Sequence, residues 1–219
     1  MGWKAACIIT GDCATGYLGE LPEHHPERVD EILEKLGFIG YESRTEATLD
    51  VYPEEQTLLL GVYDKAVFIA DQDIVFECID DLEQHPFFRK VLAIYPEGKL
   101  LMFALHSGNN VFGYAYYENG SLIRHLAGSL DSGVTADFGE LQPEEQAIFA
   151  NSKMIDGERI FTHEVGGFHF EGRIDQFGER LVFEMASKFF GQPLDTARRS
   201  SNLNGLKMEL ITKNEIRPY

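Results

Sequence analysis

The sequence predicts an α+β (α/β) fold, a single domain over residues 1–219 with a mainly antiparallel sheet and flanking helices. Three observations carry that prediction. Two β-patterned runs flank Asn119-Gly120, a pair able to take the positive φ values of a tight hairpin turn. Short, nearly uninterrupted apolar runs, such as residues 5–10, suit strands covered on both faces. Residues 25–38 and 176–193 instead space their apolar side chains as helices do, and each pattern stops at a glycine.

Taken in order, residues 5–10 form the first strand, breaking at Gly11-Asp12. In "HPERVDEILEKLGF", Pro26 suits a first helical turn, Val29, Ile32, Leu33 and Leu36 form one stripe, and Gly37 ends it. Residues 57–62 and 65–70 are two strands around Tyr63-Asp64. "HPFFRKVLAIYPEG" favours a helix between its two prolines, with residues 91–95 as an alternative strand. Three antiparallel strands follow in "KLLMFALHS" and "VFGYAYYENGSLIRHLAG", with Phe112, Tyr114 and Tyr116 on one side of their strand. Residues 129–140 read as a polar loop. Gly166-Gly167 separates two further β-runs, "QFGERLVFEMASKFFGQP" is a helix ended by Gly191 and Pro193, and residues 206–212 suit a late strand after a polar stretch around Asn202. No repeat or linker divides the chain.

Charge restricts the function. The chain holds 19 Lys+Arg against 36 Asp+Glu, a net of −17. Such a field repels phosphate backbones and anionic lipid, which predicts no nucleic-acid and no membrane partner. Residues 1–100 contain 8 basic and 20 acidic side chains, so a basic protein is the partner this half could attract. Sixteen Phe and nine Tyr predict an aromatic core rather than a base-stacking platform, since the surrounding acidity opposes one. Cys7, Cys13 and Cys78 show no paired spacing and suit reduced thiols in a cytoplasmic protein. The apolar run in "MGWKAACIITGDC" is too short for a signal-peptide core, and no segment has the length of a membrane span. The oligomeric state is left open.

Candidate functional residues gather near the loop. Ser129, Asp131, Ser132, Asp137 and Glu140 sit among glycines; the carboxylates could act as acid and base, although turn chemistry explains the cluster more simply. His106-Ser107 ends a strand, where neighbours point to opposite faces and cannot pair as base and nucleophile. Arg124 stands mid-strand and needs an acid, with Asp12, Asp131 and Asp137 as candidates. His24-His25 and the His163-Glu164 and His169 group lack metal-ligand spacing and read as surface residues. No metal and no cofactor is predicted.

The pattern of Lys4, Asp12, His106-Ser107, the aromatic strand, Arg124 and "SLDSGV" running to Gly139-Glu140 resembles a bacterial family of uncharacterised proteins, a domain-of-unknown-function family. The resemblance covers the first strand and residues 58–140 and weakens beyond. Where members carry an acid before the aromatic strand, this chain has Asn110. The resemblance implies a grouping and no activity.

Two functions fit. One is a non-enzymatic binding or regulatory domain whose acidic surface meets a basic protein, with Asp12, Ser129, Ser132 and Glu140 as binding residues. The other is a small hydrolase, or another enzyme, using His106, Arg124, Asp131 and Asp137 at the sheet edge. The acidity without a catalytic motif favours the first.

Overall fold

A computed structural model describes residues 2–38, 40–165, 167–199 and 203–214. The chain starts with β1 (Lys4–Gly11), α1 (Val29–Leu36), β2 (Tyr41–Thr48), β3 (Thr57–Val62) and β4 (Ala66–Ala70). It continues through α2 (Gln72–Asp81), α3 (Pro86–Leu92), β5 (Lys99–His106), β6 (Val111–Glu118), β7 (Ser121–Ser129) and β8 (Gly133–Phe138). The last third holds α4 (Pro143–Ala150), β9 (Ser152–Ile155), β10 (Glu158–Val165), β11 (Phe168–Gly172), α5 (Gly178–Phe190), α6 (Leu194–Arg199) and β12 (Lys207–Lys213).

Nine strands form one sheet in the order β2-β12-β3-β4-β1-β5-β6-β7-β8, and every neighbouring pair is antiparallel. A smaller sheet has the order β11-β10-β9. The α+β prediction holds, with helices on both faces of the large sheet. Ala5, Cys7 and Ile9 of β1 face a core shared with α5, while Ala6 and Ile8 face one shared with α1, α2 and α3. Burial on both sides is why the central strands read as continuous apolar runs.

The α1 stripe of Val29, Ile32, Leu33 and Leu36 is buried, and Gly37 closes the helix at φ 89°. Pro26 lies one step earlier than expected, in a 3-10 turn at Pro26–Arg28. The segment around residue 90 is helical through Leu92, so the alternative strand at residues 91–95 does not form. Asn119 and Gly120 take φ values of 50° and 70° between paired Glu118 and Ser121, as a tight hairpin turn requires. Phe112, Tyr114 and Tyr116 share the core facing α5, while Tyr117 lies in the opposite one beyond a bulge.

One expectation needs correction. Residues 129–140 are not all loop: a turn leads into β8, the outermost strand. The late strand expected at residues 206–212 forms as β12, which lies inside the sheet between β2 and β3 and buries Met208 and Ile211. At the Gly166-Gly167 bend, Gly167 has φ 81° and Gly166 lies outside the described residues, as do residues 200–202 of the polar stretch.

Candidate functional site

Arg124 decides the geometry at the β8 end of the sheet. It pairs with Tyr116 across β6–β7, while its neighbour on the same face, Leu126, pairs with Asp137 of β8. Asp137 is therefore the diagonal neighbour of Arg124, within reach of a long side chain. Beyond β8, Gly139 turns the backbone at φ 85° against Ile123, and the chain enters α4 through a capping box of Gln142 and Glu145. That turn brings Glu145 back beneath the sheet.

The side chain of Arg124 is 1% exposed and that of Glu145 is 0% exposed. Nε of Arg124 donates to both Glu145 oxygens at 3.0 Å; Nη1 donates to Asp137 Oδ1 at 2.5 Å and to the Phe138 carbonyl at 2.9 Å. Glu145 also accepts from the Tyr114 hydroxyl at 2.5 Å and the Gln142 amide at 2.7 Å. Burial alone draws the Arg124 pKa down, but Asp137 and Glu145 outweigh it and leave it raised. Burial, then the Glu145 charge, pushes the Tyr114 phenol well above its ordinary value, so it stays a donor.

One group in this network is left over. Arg124 Nη2 is buried and has no hydrogen-bond partner. An unmet buried donor costs about 1–3 kcal/mol, more when charged. Arg124 lines a cleft of about 460 Å³ together with Asp137, Leu141, Gln146, Phe149 and Arg159. Arg159 is exposed, donates to Ser152 Oγ at 3.0 Å and stands 5.7 Å from the centre of the Phe149 ring.

The structure brings Arg124 and Asp137 together and leaves the other candidates apart. Asp131 is exposed in the turn before β8, where Ser129 Oγ, rather than Asp131, accepts the Ser132 amide at 3.0 Å; Gly133 follows at φ 66°. Glu140 is exposed and uses its carbonyl to accept from Gln142 Nε2. Asp12 is exposed just past the end of β1, with β5 and β6 between that strand and β7.

His106 faces Val111 on β6, five residues from the partner of Arg124, or about 17 Å at the usual rise per residue. It lines a different cleft, of about 240 Å³, with Trp3, Ser107, Asn110, Asp175 and Glu179. Its ring also stands 6.5 Å, centre to centre, from that of Phe76 of α2, and Ser107, just past the end of β5, packs against Gly2. The four residues of the enzyme reading thus do not share one cavity.

Other groups are spoken for. His24 is no surface residue: its side chain is 5% exposed, 3.9 Å from Glu209, and burial lowers its pKa. Burial pushes the Cys13 thiol to about 11 and that of Cys78 to about 12, so neither is a thiolate at neutral pH. Among the described residues, no group of three or more His, Cys, Asp or Glu is arranged to hold a metal ion. No helix among them is long and apolar enough to cross a membrane.

The sequence offered Asp137 as one of three partners for Arg124, with Asp12 and Asp131, and did not assign Glu145, Tyr114 or Arg159 to the network or its cleft. For Glu145 a local signal exists, since "QPEE" places Gln142 and Glu145 at capping-box spacing with Pro143 at the first helical position.

A family model matches residues 5–159 of this chain. The chain belongs to DUF6928, a family of unknown function. The DUF6928 match extends past residue 140, where the resemblance weakened, and takes in Glu145 of α4 and Arg159 of β10. It therefore includes every residue of the Arg124 network and both arginines of its cleft, while α5 and β12 lie outside it. Neither the curated proteins nor the solved structures gave a match.

Proposed function

We propose that this DUF6928 protein is a non-enzymatic cytoplasmic binding domain that takes up an extended segment of a basic protein partner along β8. The contrast between the two edges of the large sheet carries this reading. At one edge, β2 reads "YESRTEAT"; Arg44 is paired with Asp30 and Glu209, and Glu46 with Lys207. Charges of this kind discourage strand addition. At the other edge, β8 exposes Val134 (47%) and Phe138 (55%), continued by exposed Leu130 and Leu141. Asp131, Asp137 and Glu140 are exposed beside them.

An edge strand offers unpaired backbone groups to an incoming strand, and its side chains select which one binds. Here the exposed Val134, Phe138, Asp131 and Asp137 favour a segment that carries both apolar and basic side chains. The net charge of −17 speeds encounter with such a segment at low salt. The groups of Arg124 and Glu145 are meanwhile engaged with each other, which supports an architectural role for them.

Hydrogen exchange on the full chain tests the reading, with an alternating lysine–valine octapeptide as probe. The expected result is protection of residues 133–138 that weakens in high salt and is lost in Phe138→Lys. The absence of protection at millimolar peptide, or equal protection by a glutamate–valine octapeptide, overturns it. A dimer sealed through β8, seen by light scattering and removed by Phe138→Lys, also overturns it.

A further inference from the structure

We propose that a second copy of this chain pairs with β11, joining the two smaller sheets into one across a two-fold axis at Phe170. Strand β11 (Phe168–Gly172) is an outer strand of the smaller sheet. Phe168 (80%), His169, Phe170 (47%) and Glu171 are all exposed along it. It contains no lysine or proline of the kind that blunts a free edge. Its outward backbone groups are therefore open to another strand.

The order of residues selects the occupant. Two copies of one edge strand related by a two-fold axis meet antiparallel, and each residue faces a fixed counterpart. With the axis at Phe170, Phe170 faces Phe170, His169 faces Glu171 and Phe168 faces Gly172, the last two pairs being made twice. On one face of the joined sheet a base then stands opposite an acid. On the other face the two Phe170 rings meet, with each Phe168 on the diagonal, within reach of an aromatic side chain. Moving the axis to His169 or to Glu171 would set that residue against itself, which disfavours the neighbouring registers. Within a single chain these groups already attract: His169 Nε2 stands 3.3 Å from Glu171 Oε1, which also lies 3.0 Å from Lys153 Nζ. Strand β8 belongs to the other sheet, so the inference does not rest on partner binding there.

Sedimentation velocity of the full chain at rising concentration tests it. The edge is short, so the expected dimer is weak, with a dissociation constant of about 10–100 µM. Phe168→Ser weakens it at least about tenfold with an unchanged melting temperature. Phe168 is the ring to change, because Phe170 also packs on Phe177, 5.7 Å away between centres. His169→Glu and Glu171→Lys each weaken the dimer about fivefold, through the two pairs that each variant spoils. An equimolar mixture of these two variants forms a heterodimer at least as tight as the parent dimer, because each 169–171 pair again joins a base to an acid. Phe138→Lys leaves the dimer intact, which separates it from the β8 edge. A chain that stays monomeric at about 1 mM, well above the weak range, overturns the proposal. So does a dimer that Phe168→Ser leaves unchanged or that Phe138→Lys removes, or a mixture no tighter than its components.

Discussion

Arg124 Nε lies 3.0 Å from each carboxylate oxygen of Glu145, and both side chains are shielded from solvent although twenty residues separate them along the chain. The pair ties the sheet at β7 to the start of α4 across the Gly139 turn. Tyr114 and the Gln142 amide complete the carboxylate's hydrogen bonds in a place closed to water.

Glu145→Ala is expected to destabilise the fold by about 3–5 kcal/mol, because it strands the Arg124 charge in the interior. Arg124→Leu should cost less, since Tyr114 and the Gln142 amide still donate to Glu145. The double variant Arg124→Leu, Glu145→Ala should cost less than the two single changes together. Urea denaturation of the three proteins measures this. An Arg124→Leu protein as stable as the parent would show that the pair adds nothing.

The two positive-φ glycines around β8 should differ in their tolerance of substitution. Gly133 has φ 66° and open space where a Cβ would go, so Gly133→Ala should cost only the left-handed backbone penalty of about 1–2 kcal/mol. At Gly139, φ 85°, a Cβ would collide with the Ile123 carbonyl. Gly139→Ala should therefore cost clearly more and displace the Phe138 carbonyl from Arg124. Thermal melts of the two variants, run side by side, test the order; equal losses would contradict it.

Alkaline pH should unfold the protein through its buried phenols. Burial raises the folded-state pKa of Tyr63, Tyr114 and Tyr116, with Glu145 and Glu118 adding to the effect on the last two. A raised folded-state value means that stability is fully present below the unfolded tyrosine pKa of about 10 and is lost as the pH climbs toward the folded value. A tyrosinate absorbance titration should show these three phenols ionising only together with loss of the near-ultraviolet circular dichroism. Smooth ionisation of all nine tyrosines in the folded protein would refute this.

The parts of the fold that could be read in the sequence are those where burial imposes a period. The α1 stripe, the aromatic β6 strand and the Asn119-Gly120 turn are of this kind, because each side chain's fate there depends on neighbours a few residues away. The edge strands β2 and β8 were not legible: each is solvated on much of its surface, so polar residues interrupt the alternation. The helices α2 and α4 announce themselves by Asp71 and Gln142 at their N-termini, a signal weaker than a hydrophobic period.

At the site, the sequence by itself required an acid for Arg124, because a cation in the middle of a strand must be paired or reach water, and Asp137 stood among its three candidates with Asp12 and Asp131. Only the tertiary structure decided that Glu145 would be the buried partner, that His106 would face another cleft, and that Nη2 would be left without an acceptor. The physical reason is that distances across a turn and between sheet edges depend on backbone direction, which the Gly139 conformation and strand register set, and neither leaves a period in the sequence.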